Sequence, residues 1–87
     1  MKILIGDIGN TLTKLCLANE KLKIIKVYNV ETGKINKEKN LIKFLNPVLK
    51  KDIKKKILFS SVVPKVYQKI NKLLKKKKIS AIWNKKS

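Results

Sequence analysis

The sequence has no histidine, no arginine, a single cysteine and only five acidic residues among 87. Each shortage rules something out. Without histidine, and with Cys16 alone, a zinc site is effectively excluded and no internal disulfide can form. Five scattered acids are too few for a two-metal nuclease, which needs several carboxylates around its ions. No apolar run is long enough to cross a bilayer. The N-terminal apolar stretch is too short, and is cut too early by Asp7, to be a signal peptide. The expectation is a soluble, cytoplasmic protein of one small domain with a modest core and no membrane partner.

What is abundant is lysine. The net charge is +18, and all 23 basic residues are lysine. A basic surface attracts phosphate backbones without regard to sequence. Arginine, which makes the commonest specific base contact, is absent. Lysine, isoleucine and asparagine are encoded by A/T-rich codons, so a biased genome yields this composition with no selection for a partner. The lysines are spread over every segment, with local runs at 50–51, 54–56 and 75–78. Binding to nucleic acid is therefore expected to be non-specific at most.

The chain is organised around its first fourteen residues. An unbroken apolar run through Ile3, Leu4 and Ile5 predicts a strand buried on both faces. Asp7 ends that strand, and Gly9-Asn10, two residues that tolerate positive φ, predict a tight turn. Closely spaced backbone N–H groups in such a turn can hold a phosphate. A neighbouring carboxylate can hold the magnesium that accompanies it, directly or through water. The same residues also fit an ordinary hairpin whose Asp bonds to nearby backbone.

Further along, residues 12–18 and 22–30 predict two more strands, turned by Asn19-Glu20-Lys21, to complete an antiparallel meander. Glu31-Thr32-Gly33-Lys34 reads as a turn cluster. Asn36 is a fair N-cap with Glu38 behind it, for a helix carrying Leu41, Ile42 and Leu45. Pro47 is expected to end or kink that helix near Asn46, with Val48 and Leu49 adding at most a last apolar turn. Residues 56–63 predict a fourth strand, and Pro64 opens a second helix with an apolar face of Val66, Tyr67, Ile70, Leu73 and Leu74. Lysines 75–78 suit the negative end of its dipole. Residues 79–83 predict a fifth strand. This order matches the opening of a ribonuclease-H-like α/β domain, with the first strand central and crossovers placing the later strands beyond it.

An N-terminal strand ending Asp7-Ile8-Gly9-Asn10-Thr11, followed by a strand ending Ser60-Ser61-Val62-Val63-Pro64, closely resembles the type III pantothenate kinases. These belong to the superfamily of actin, acetate kinase and the sugar kinases. The resemblance covers essentially the whole chain but only the first part of that family's longer sequence. It implies ATP-dependent phosphorylation of pantothenate, the first step towards coenzyme A, with magnesium, a monovalent cation (potassium or ammonium) and a homodimer. Carried over, Asp7 would face the metal and phosphates. Gly9, Asn10 and Thr11 would line the phosphate loop, and Thr13 and Lys14 would end that segment. Lys14 is either a contact for a terminal phosphate oxygen or a solvated strand lysine. Ser60 and Ser61 are expected to hydrogen-bond within the strand-to-helix corner.

The family's Gly-x-Asp-Arg segment, with the acid thought to be the catalytic base, and its second phosphate motif, Asp-x-Gly-Thr, would lie downstream of Ser87. Glu20, Glu31, Glu38 and Asp52 are unconvincing as bases. Residues 1–87 thus read as the N-terminal part of an ATPase-type domain lacking the second domain, inactive alone. Apolar surface should be exposed on the sheet, including around Trp83. Another small-molecule kinase of the same superfamily and a small basic nucleic-acid-binding protein remain alternatives.

Overall fold

Residues 1–85 are described by a computed structural model. Strands β1 (Ile3–Ile8), β2 (Leu12–Ala18) and β3 (Ile24–Glu31) form the meander, followed by helices α1 (Thr32–Ile35) and α2 (Glu38–Leu49), strand β4 (Lys56–Ser61), helix α3 (Pro64–Lys76) and strand β5 (Ser80–Lys85). The five strands form one sheet of order β3-β2-β1-β4-β5, antiparallel among the first three and parallel from β1 through β5. This is the ribonuclease-H-like α/β arrangement, with β1 in the centre.

Strand alternation sorts side chains by face. Leu4 and Ile8 of β1, Leu15 and Leu17 of β2, and Ile57 and Phe59 of β4 are all buried against the helices. α2 contributes Leu41, Leu45 and Val48 to this core, and α3 contributes Val66, Ile70 and Leu74. Tyr67 meets the Phe59 ring edge-on at 5.9 Å and stacks on Trp83 at 5.0 Å. Burial pushes the Tyr67 phenol pKa up. Trp83 is exposed, as expected, and lies on the helix side. The larger exposed apolar surface lies on the other side of the sheet.

That other side corrects the reading of β1 as buried on both faces. Ile5 is 36% exposed, because all three helices lie on the opposite face. The apolar run marks a strand suited to two covers, of which the described residues supply one.

Two helix boundaries also differ from expectation. Asn36 does not cap α2. It closes the short α1, whose formation buries Ile35 and Thr32, and α2 starts one residue later behind Lys37. The Asn36 carbonyl and side-chain oxygens instead accept from Lys69 Nζ at 2.6 and 2.7 Å. Pro47 does not end α2, which continues to Leu49. An interior proline costs about 3 kcal/mol, and each large aliphatic side chain fully buried returns roughly 1.5–3 kcal/mol. Val48 and Leu49 are both buried, so the helix runs on. At the far end of the sheet the Met1 amino group donates to Glu20 Oε1 at 2.6 Å, holding that carboxyl below its ordinary pKa.

Helix α3 ends in a Schellman motif. Ile79 N–H donates to the Leu74 carbonyl and Lys78 N–H to that of Lys75, with Leu74 and Ile79 both buried beneath. Lys78 occupies the position usually taken by glycine, at φ 58°. Lys78→Gly is therefore expected to raise stability by about 1 kcal/mol, since left-handed backbone costs a side-chain-bearing residue about that much. Urea denaturation checks this, and an unchanged or lowered midpoint opposes it.

Candidate functional site

The loop between β1 and β2 is built by inward-facing carbonyls. Gly9 N–H donates to the Leu12 carbonyl at 3.0 Å, closing the turn. A Cβ on Gly9 would stand 3.0 Å from that same oxygen, so close approach demands glycine here. The expectation of positive φ is not met. Among the described residues the left-handed region is occupied by Leu22 and Lys78, not by Gly9 or Asn10.

Thr32, at the start of α1, clamps this loop. Its N–H donates to the Thr11 carbonyl at 2.9 Å and its hydroxyl to the Gly9 carbonyl at 2.7 Å. A threonine hydroxyl carries one proton, so the 2.9 Å contact with Thr13 Oγ1 is a bond donated by Thr13. Thr13 and Thr32 are both buried. The Thr13 hydroxyl therefore sits on the helix side, behind the loop, rather than on its open side. Thr32 thus engages the carbonyls of Gly9 and Thr11, Gly9 N–H engages that of Leu12 across the turn, and none of these bonds uses the Asn10 or Thr11 amide.

On the open face the strand register assembles a polar row. Asn29, Lys14, Asp7, Ser60 and Asn84 are successive cross-strand partners over all five strands. Lys14 lies directly opposite Asp7, where Cβ atoms are about 5 Å apart in an antiparallel pair. Asp7 and Ser60 are half-buried, and Lys14 is exposed. The row crosses the carboxyl ends of β1, β4 and β5. β1 is where the chain, having wound out to β3, returns to the other side, and open α/β sheets bind ligands at such switch points.

The sequence-predicted residues thus divide. Asp7 and Lys14 come together on one face, with Gly9, Asn10 and Thr11 in the loop at its end. Thr13 goes to the supporting side. Ser61 is buried and bonds the Val63 backbone at the strand-to-helix corner, as expected. Ser60 does not join that corner; it stands beside Asp7. The period-two signal of Ile57, Phe59 and Ser61 facing inward carries that placement, since Ser60 must then face outward. Thr32 carries no such signal, because it stands in a turn cluster whose register the sequence does not show.

Asp7 offers one carboxylate, and among the described residues no three acids or thiols gather into a metal cage. Magnesium commonly takes one or two carboxylates and completes its shell with water and substrate phosphates, so this donor set fits it. A groove of about 280 Å³ between α2 and α3, lined by Lys69, Lys72 and Lys76, lies on the helix side, away from this row.

The family profile of type III pantothenate kinases matches residues 3–87. The chain belongs to this family. The type III pantothenate kinase of Pelagibacter ubique (strain HTCC1062) is 45% identical over 74 residues, which cover 85% of this chain and 30% of that protein. The solved structure of the Lmo2764 protein from Listeria monocytogenes superposes with a TM-score of 0.64 at 16% identity, covering 98% of this chain and 35% of that one. At that identity the likeness concerns the fold alone. This pantothenate kinase family member therefore spans under a third of the relative it matches.

Proposed function

We propose that this chain supplies the phosphate-binding portion of a kinase that transfers the γ-phosphoryl group of ATP to pantothenate. Family membership supports the choice of reaction. The observation that supports the site is the register placing Lys14, Asp7 and Ser60 side by side next to a loop whose Gly9 and Thr11 carbonyls are held by Thr32. Phosphoryl transfer asks a protein chiefly for positioning and charge neutralisation. In this reading the Asn10 and Thr11 amides receive phosphate oxygens, and Lys14 neutralises a terminal one. Asp7 orients the magnesium, directly or through water, and Ser60 adds a hydroxyl at its flank. Thr13 serves by holding Thr32. Magnesium supplies charge neutralisation between the phosphates when bound. A monovalent cation, potassium or ammonium, and assembly of the complete enzyme as a homodimer belong to the same proposal.

Glu20 and Asp52 lie at the opposite end of the sheet, by Met1 and Lys2. The base for the acceptor hydroxyl is accordingly assigned to the portion of the family's sequence beyond the matched region. This chain alone is expected to bind nucleotide weakly and turn nothing over.

The test is an NMR titration of the 15N-labelled chain with ATP, with and without magnesium. The Asn10 and Thr11 amides should shift in a magnesium-dependent way, and Asp7→Ala should abolish the magnesium dependence. Binding that falls steeply with salt and survives Asp7→Ala would support polyanion binding by the lysines instead. A substrate panel on a chain completed with the rest of the enzyme separates pantothenate from a sugar or another acid.

A further inference from the structure

Helix α1 is a single turn of four residues, Thr32 to Ile35, and a helix so short does not hold its own shape in water. Its supports lie outside it. At its start Thr32 is tied to the carbonyls of Gly9 and Thr11. Ile35 anchors it in the core, fully buried. At its end the Lys34 carbonyl accepts from Asn40 Nδ2 at 3.0 Å. Asn36, the residue that closes it, accepts from Lys69 Nζ through both its backbone carbonyl and its side-chain oxygen. Carbonyls at a helix end lack partners within the helix, and here an outside cation supplies one. Lys69 is exposed on α3, 33 residues away in sequence. Of the three protons on its ammonium, two are given to Asn36. Bonds donated by a charged group are about twice as strong as neutral ones.

We propose that Lys69 is a positioning residue for the phosphate loop, acting through Asn36 and α1 on Thr32. What the loop binds rests on the nucleotide reading above; what holds the loop rests on these bonds alone. Thr32 and Asn36 stand four residues apart, about 6 Å along a helix axis, so one turn of backbone joins the two ties. Release of Asn36 frees the trailing end of that turn. Thr32 then holds the Gly9 and Thr11 carbonyls less firmly, and the Asn10 and Thr11 amides between them lose their fixed aim. Donors that must be ordered on binding give less affinity than donors already in place. Lys69 touches no part of the loop itself, and its effect passes entirely through α1.

The experiment measures amide hydrogen exchange by NMR in the nucleotide-free chain, then titrates ATP with magnesium. Lys69→Met keeps the aliphatic stem and withdraws the ammonium. Lys72→Met removes the same charge from the next turn of α3, beside the same groove, and is the control. In Lys69→Met the Thr32 and Gly9 amides are expected to exchange about threefold faster, the scale of a solvent-exposed charged contact. The Ile70 and Leu74 amides, inside α3, should be unchanged. ATP should bind about threefold more weakly. Asn36→Ala, which removes one of the two acceptors, should act in the same direction but less. Added to Lys69→Met it should change little further, because both substitutions break one contact. Unchanged exchange at Thr32 and Gly9 overturns the proposal, as does equal acceleration in Lys72→Met. Acceleration that extends to Ile70 and Leu74 also overturns it, since that reports lost global stability. So does faster loop exchange with ATP affinity intact. A parent chain without magnesium-dependent ATP binding defeats the nucleotide reading instead, while the exchange comparison still decides whether Lys69 holds the loop.

Discussion

Gly6→Ala is expected to remove most of the stability of this chain, more than any other single methyl group added to β1. A Cβ at Gly6 would overlap Cδ1 and Cε1 of Phe59 and stand 3.2 Å from Leu15 Cδ2. Phe59 has no room to yield. It is fully buried, and Tyr67 holds its ring edge-on from α3. Overpacking a core costs about 1–3 kcal/mol, and more where the clash is with a locked ring. Domains hold roughly 0.05–0.15 kcal/mol per residue, and one with an uncovered sheet face belongs at the lower end. A loss of about 3 kcal/mol is then the greater part of the total. Urea denaturation should show a midpoint lowered severely or no folded baseline. Gly6→Ala combined with Phe59→Leu, which withdraws the opposing ring, should recover part of the loss. A Gly6→Ala midpoint near that of the parent would refute this account of the glycine.

The second large effect is expected at Thr32, and it separates the clamp from the ligand contacts. Thr32→Val keeps the shape but withdraws the hydroxyl from the Gly9 carbonyl and from Thr13. Each buried polar group left without a partner costs about 1–3 kcal/mol. Some of that loss is expected as a lower melting temperature and some as a loosened loop. Nucleotide affinity should fall by about tenfold, a difference of ~1.4 kcal/mol. Thr32→Ser retains the hydroxyl and should hold most of the affinity, though it gives up a buried methyl group. If Thr32→Val lowers stability but leaves the magnesium-dependent shifts of Asn10 and Thr11 unchanged, the clamp is structural only.

Several of these features were legible in the residues themselves. The order of strands and helices follows from hydrophobic period and from turn chemistry at Asn19 and Pro64, both local properties. The two motifs at Asp7–Thr11 and Ser60–Pro64 sufficed to point to the family. Other features were hidden because they depend on pairing between distant segments. The register of β2 with β3 shifts at Leu17/Ala18, so counting outward from the turn at Asn19 puts Thr32 in the wrong place. Gly6 looks like a weak point in an apolar strand until Phe59, from a strand more than fifty residues away, is laid against it. Pro47 carries a local stop signal, which the burial of Val48 and Leu49 overrides.

Which residue types stand at the ends of which strands could be read along the chain, because those choices answer to neighbours a few positions away. Strand pairing and helix placement set Lys14, Asp7 and Ser60 in one row with Thr13 and Thr32 on its other side, and leave one side of the sheet open among the described residues. Those facts belong to strand register and to the placement of every helix on a single face, and both are set by contacts among segments that the linear order keeps apart.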